Sequence, residues 1–89
     1  MLLTTIVNTP MMECESPFIL ACDGRIHGDN MKIKFIGDFA RARQHDIKSL
    51  RTGDVASIGG KIRRDTILVE SFTLITNNGP VGRNLNMWA

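Results

Sequence analysis

Between Met31 and Phe35 apolar and cationic residues alternate without a break, with Met31, Ile33 and Phe35 on one parity and Lys32 and Lys34 on the other. A period of two sends successive side chains to opposite faces of an extended chain. The segment predicts a strand with a core on one side and two lysines in water on the other, so the rest of the chain must supply strands that cover the apolar face. Its means are limited: with 89 residues, 43% of them hydrophobic, it supports one modest core and excludes two independent ones. No run of about 18 apolar residues is present to cross a membrane as a helix, and the chain reads as soluble. Met1 to Val7 is apolar but short, without a basic leader and soon followed by Glu13 and Glu15, which argues against a secretory signal and for the cytoplasm. Cys14 and Cys22 lack CxxC spacing and suit small reduced side chains better than a disulfide framework.

Other strands follow from composition and punctuation. Leu2 to Asn8 is rich in Leu, Ile, Val and Thr and closes at Asn8-Thr9-Pro10, a turn signal. Residues 11 to 16 read as irregular. A second strand runs over Phe18 to Cys22, with Pro17 at its first position, where a missing donor does least harm, and Asp23-Gly24 after it. His27 to Asn30 reads as the turn into the third strand. Asp38 is placed to cap a helix on which Phe39, Ala42 or Arg43, Ile47 and Leu50 recur at helical spacing, and Gly53 suits the positive φ past its end. Val55 to Ile62 and Thr66 to Ile75 make two further strands joined by Arg63-Arg64-Asp65. Their apolar residues fall on both parities, as in a curled sheet, and Gly59-Gly60 removes side chains where a strand bends or another backbone approaches. Five strands with one helix between the third and fourth is the order of the OB-fold, a Greek-key barrel that commonly binds oligonucleotides. The expected organisation is an OB-fold domain over residues 1–75 and a flexible tail over 76–89, ending in Met87-Trp88-Ala89.

Charge is segregated along the chain. Residues 1–30 carry Arg25 against four acids, whereas residues 31–64 carry nine cations against Asp38, Asp46 and Asp54. A local positive field of this kind suits a polyphosphate, although such a run also serves as an ordinary solvated face.

The stretch Lys32-Ile33-Lys34-Phe35-Ile36-Gly37-Asp38-Phe39-Ala40, and then Leu50-Arg51-Thr52-Gly53-Asp54-Val55-Ala56-Ser57-Ile58-Gly59-Gly60-Lys61-Ile62, resembles the bacterial single-stranded DNA-binding proteins and their short primosomal relatives. In that family a strand of basic and apolar residues ends in Gly, a helix closes with Leu-Arg-Lys-Gly, and a strand of the type V-x-I-x-G-x-L follows. The resemblance covers roughly residues 30 to 75, with a helix about three residues longer here. It implies an OB-fold, a basic residue of the DNA-binding face at Lys32, and Lys34 and Ile36 on that same face. It also implies a role in replication, recombination or a mobile element, with replication proteins as further partners. Asn30 and Ile36 stand where the family commonly has Trp and Phe, which removes two stacking platforms, and the family's acidic C-terminal tip has no counterpart in this sequence.

A sequence-tolerant binder of single strands needs a cationic groove and flat surfaces for bases. The candidates are Lys32, Lys34 and Ile36 on the third strand, Lys61, Arg63 and Arg64 at the last hairpin, and Arg25 near the second turn. Each lysine taken singly reads equally well as an ordinary solvent-facing residue. Arg41, Arg43, Lys48 and Arg51 belong to the helix and read as solubilising or as a peripheral phosphate track. Phe35 and Phe39 have core parity, Phe18 and Phe72 are ambiguous, and Trp88 is a candidate for packing, partner contact or stacking. Catalysis is not expected: His27 and His45 are isolated, the serines lack an elbow motif, and there is no P-loop or dinucleotide fingerprint. Cys14, Cys22 and His27 fit no zinc spacing, and neither metal nor cofactor is expected. Single-stranded DNA is the expected partner, bound by a homodimer or higher homo-oligomer. A protein-interaction module using strand edges or Trp88, and an RNA-binding barrel, are the alternatives.

Overall fold

The computed structural model describes residues 2–76. They form a mostly β structure with strands β1 (Leu2–Ile6), β2 (Met11–Cys14), β3 (Ile19–Ile26), β4 (Asp29–Ile36), β5 (Val55–Arg63) and β6 (Thr66–Thr76). Two short helices, α1 (Gly37–Ala42) and α2 (Gln44–Lys48), lie between β4 and β5. The sheet order is β1-β5-β6-β4-β3-β2, and β1 also pairs with β3. All pairings are antiparallel except β4 with β6. Pairing therefore runs from β1 through β5, β6, β4 and β3 back to β1, with β2 as a sixth strand on β3.

The expected count of five strands is corrected to six. The segment read as irregular holds β2, whose Met11, Met12 and Glu13 are exposed and Cys14 half-buried. With no buried parity it leaves no periodic signal. It is a strand only because its backbone pairs with Ile19–Ala21 of β3. The strand expected over 18–22 runs four residues further, to Ile26. Its second half pairs with β1 at Gly24 and Arg25, and a side chain at Gly24 would collide with Ile33 and Thr4. The β3–β4 turn is tighter than expected: His27 and Gly28 are its two central residues, both at positive φ, and Asp29 and Asn30 already belong to β4.

The single helix is corrected to two, because the chain leaves helical geometry at Arg43 (φ −106°, ψ 15°). Asp38 is not the cap. Ile36 holds that position without a side-chain hydrogen bond, and Asp38 lies in the first turn. Gly53 does have φ 92°, but it lies in the turn before β5, where its N–H donates to the Ile6 carbonyl at 2.8 Å, five residues beyond α2. No described helix is long and apolar enough to cross a membrane.

The core is one cluster that includes Ile6, Phe18, Leu20, Ile33, Phe35, Ile47, Leu50, Ile58, Ile67 and Phe72. Phe35 and Phe72 meet edge to face at 5.8 Å between centroids, and Phe39 packs on the cluster half-buried. Gly60 opposes Val69 at a bulge, and a Cβ there would run into the Leu68 backbone carbonyl. This is the close backbone approach that the glycine pair predicts. Beyond it, Lys61, Ile62 and Arg63 of β5 are all exposed, whereas their register partners on β6 pair with β4 and Ile67 is fully buried, so only the β5 side of the hairpin end, the arm, stands clear of the core.

Candidate nucleic-acid interface

Strand register builds the face of interest. Arg63, Thr66, Lys32 and Asp23 lie side by side across β5, β6, β4 and β3. Two residues along, Lys61, Leu68, Lys34, Ala21 and Met11 form the next such row, which reaches β2. The row between them contains Ile67, Ile33 and Cys22, all buried, and exposed Ile62 at its β5 end. Alternation therefore turns both flanking rows outward. Arg25 pairs with Asn30 in the outward row on the other side of Lys32, its Nε donating to Asn30 Oδ1 at 3.2 Å. Ile36 shares the parity of Lys32 and Lys34 and is half-buried. Arg64 sits at the tip of the arm with φ 57°, as the first central residue of the two-residue turn to Thr66. The Asp65 carbonyl accepts from the Lys32 N–H at 2.7 Å, which ties the tip to β4.

Arg25, Lys32 and Lys34 thus lie on one side of β3 and β4, with Lys61 and Arg63 beside the lysines in register on the exposed end of β5, and carboxylates sit among them. Lys34 Nζ lies 3.0 Å from Glu13 Oε2 of β2, and Lys32 Nζ lies 3.7 Å from Asp23 Oδ1. Such part-exposed pairs contribute about 0 to 1 kcal/mol each, so a phosphate can compete for either lysine. On either side of the Lys32 and Asp23 row lie two hollows of about 380 and 290 Å³, which share those two residues and together make a groove. The larger is closed by Val7, Met31 and Asp65, the smaller by Asn8 and Glu13. Asn8 also accepts from the Asp23 N–H through Oδ1 at 2.7 Å, while Asp23 O accepts from the Val7 N–H at 2.9 Å, and together these hold the groove floor.

Sequence reasoning missed Glu13, Asp23 and Asp65 as parts of this surface. The parity of Asp23 relative to Leu20 and Cys22 was a usable signal. Glu13 gave none, since its position depends on β2. Among the described residues no aromatic ring contributes, because Phe18, Phe35 and Phe72 are buried and Phe39 packs on the core. Two helix arginines are already engaged, Arg41 over Phe18 at 4.8 Å and Arg43 over Phe72 at 5.1 Å. Arg43 also donates to the Phe72 carbonyl and pairs with Asp46, which fastens the helix break to β6. Trp88 lies outside the described residues.

Both cysteines are free, and among the described residues no group of three or more His, Cys, Asp or Glu side chains could hold a metal. Burial, and after it the neighbouring Asp23 charge, pushes the Cys22 thiol up from 9.0 to about 12. Reaction requires the thiolate. At pH 8 a thiol reagent should therefore label half-buried Cys14 and spare Cys22 in the folded chain, with both labelled in denaturant, as read by peptide mass. The same shift makes the folded state lose stability as pH rises from about 9 toward 12, because the unfolded chain ionises there first.

Compared with family models, with curated proteins and with solved structures, the chain has no match in any of the three.

Proposed function

We propose that this chain is a small OB-type barrel that binds single-stranded DNA without strong sequence preference, in replication, recombination or a mobile element. The observation that carries the reading is the register itself, which aligns Lys32 with Arg63 and Lys34 with Lys61 in two neighbouring outward rows beside Arg25. Phosphates of a single strand are regularly spaced and reward such a track, and guanidinium planes offer bases a flat surface where rings are missing. Two features support the barrel. Pairing returns to β1, and the one parallel pair, β4 with β6, joins strands on either side of the helices and β5, as OB connectivity requires. In this reading the chain is a binder with no catalytic role, and it works as a dimer or higher oligomer in the cytoplasm.

Anisotropy with labelled oligothymidine tests the proposal. The logarithm of affinity should fall linearly with log salt, by about 0.7 per phosphate neutralised. Absence of binding at low salt would remove it. Oligouridine as competitor separates DNA from RNA, and light scattering with and without oligonucleotide reads the assembly. Glu13→Gln frees Lys34, so it should tighten oligothymidine binding a few-fold and steepen the salt slope by about 0.7.

One observation favours a second reading, a protein-interaction module. β2 ends the sheet order and exposes Met11 (73%) and Met12 (50%), as a strand edge open to pairing would. In that case oligothymidine does not bind, and oligomerisation or partner binding responds to Met11 and Met12 instead.

A further inference from the structure

The carboxylates in the groove are the clue to a more specific ligand. A surface built only for phosphate has no use for Asp23 and Asp65, which repel it. Resting on the single-strand reading above, we infer that the larger hollow, between Val7, Asp23, Asn30, Met31, Lys32 and Asp65, is a nucleobase pocket that selects guanine from the bound strand.

The acceptors are open. Asp23 is half-exposed, and its charge partner Lys32 stands off at 3.7 Å. Asp65 Oδ1 accepts only the Thr66 hydroxyl at 3.3 Å among the described residues. An ionised carboxylate has two oxygens that can accept in parallel from two adjacent donors. On the pairing edges of the bases only guanine presents two adjacent donors, the ring N1–H and the 2-amino group. Adenine and cytosine offer one amino group beside a ring nitrogen lone pair that a carboxylate repels, and thymine or uracil offers one N–H between two carbonyls. Guanine O6 and N7 also accept from arginine or lysine, and Arg25 and Lys32 border the same hollow. Arg25 uses only its Nε on Asn30, so the rest of its guanidinium has no partner among the described residues.

Size and walls agree with this assignment. About 380 Å³ lies in the range of small-molecule sites, roughly 300 to 1,000 Å³. Val7 gives it an apolar side, and Met31, whose side chain packs on the core, borders it as well. Lys34 and Lys61 fall in the next outward row, outside this hollow, where the strand's phosphates would run. One base turned inward from such a track gives a preference at one position and tolerance at the others.

The test uses the full chain and oligothymidines that carry a single central guanine, hypoxanthine, adenine or cytosine. Hypoxanthine keeps N1–H and O6 but lacks the 2-amino donor. Guanine is expected to bind about tenfold tighter than hypoxanthine, a good paired contact to a base edge being worth at least that. Asp23→Asn or Asp65→Asn should abolish the preference, read as the ratio of guanine to hypoxanthine affinity within the same variant. Equal affinity for guanine and hypoxanthine, or a preference unmoved in both variants, would overturn the inference and leave strand binding intact. Titration with GMP against IMP, followed by amide shifts of Asp23, Asn30, Lys32 and Asp65, reads the pocket without a strand. Selective GMP shifts without oligothymidine binding would sink the strand reading and keep the pocket, and absence of any GMP preference would sink the pocket.

Discussion

Replacing Lys32 and Lys34 together with Glu is expected to lower affinity for oligothymidine on the order of a hundredfold at low salt, since each hydrogen bond to a charged group contributes about 1.5 to 3 kcal/mol. The loss should be alike for every sequence without guanine, and the salt slope should shrink by about 1.4, two phosphates at about 0.7 each. Lys32 is exposed and Lys34 half-buried on the outward side of β4, so the core is untouched and the sheet should keep its circular dichroism. The Glu introduced at 34 would face Glu13 where an ion pair stands now, adding a small destabilisation. The paired Gln variant avoids that repulsion and should give a smaller loss of the same kind. Undiminished binding by both variants would move the interface off this face.

Phe35→Ala should destabilise the fold by about 3 to 5 kcal/mol, the range for emptying a buried aromatic position. Phe35 is fully buried, lies between Leu20 of β3 and Val69 of β6 in register, and meets Phe72 edge to face at an interplanar angle of 87°. It therefore joins the parallel β4–β6 pair to the antiparallel β3–β4 hairpin and packs under Phe72, over which Arg43 lies. A domain of this size has about 5 to 15 kcal/mol in all, so the variant should show a much lower denaturant midpoint or fail to fold at room temperature. Ile62→Ala, on the exposed arm beyond Gly60, should shift the midpoint little. Similar midpoints for the two variants would contradict the placement of the core.

Gly60→Ala belongs with the second result in mechanism. Its Cβ would meet backbone, the Leu68 carbonyl, rather than the end of a movable side chain, so the bulge must open. A loss of about 1 to 3 kcal/mol is expected from such overpacking, measurable as a lower thermal midpoint. The arm carrying Lys61, Arg63 and Arg64 starts at this bulge, so oligothymidine affinity of the folded variant reports whether the arm's direction matters.

The sequence by itself determined what depends on neighbours in the chain: the parity of Met31 to Phe35, the turn at His27-Gly28, the backbone approach at Gly60, and the outward lysines of β4. These follow from side-chain periodicity and local backbone freedom, which a few consecutive residues suffice to specify. Only the tertiary structure decided what depends on distant partners. β2 exists because β3 offers it an edge, although none of its side chains is fully buried. The helix divides at Arg43, whose guanidinium is held by Phe72 from β6. Lys34 meets Glu13, and Lys32 meets Asp23 and the tip of the arm, because register between strands far apart in the chain sets which charges share a surface. Pattern along one strand says which face a residue takes, whereas the neighbour across the sheet is chosen by how all the strands pack at once.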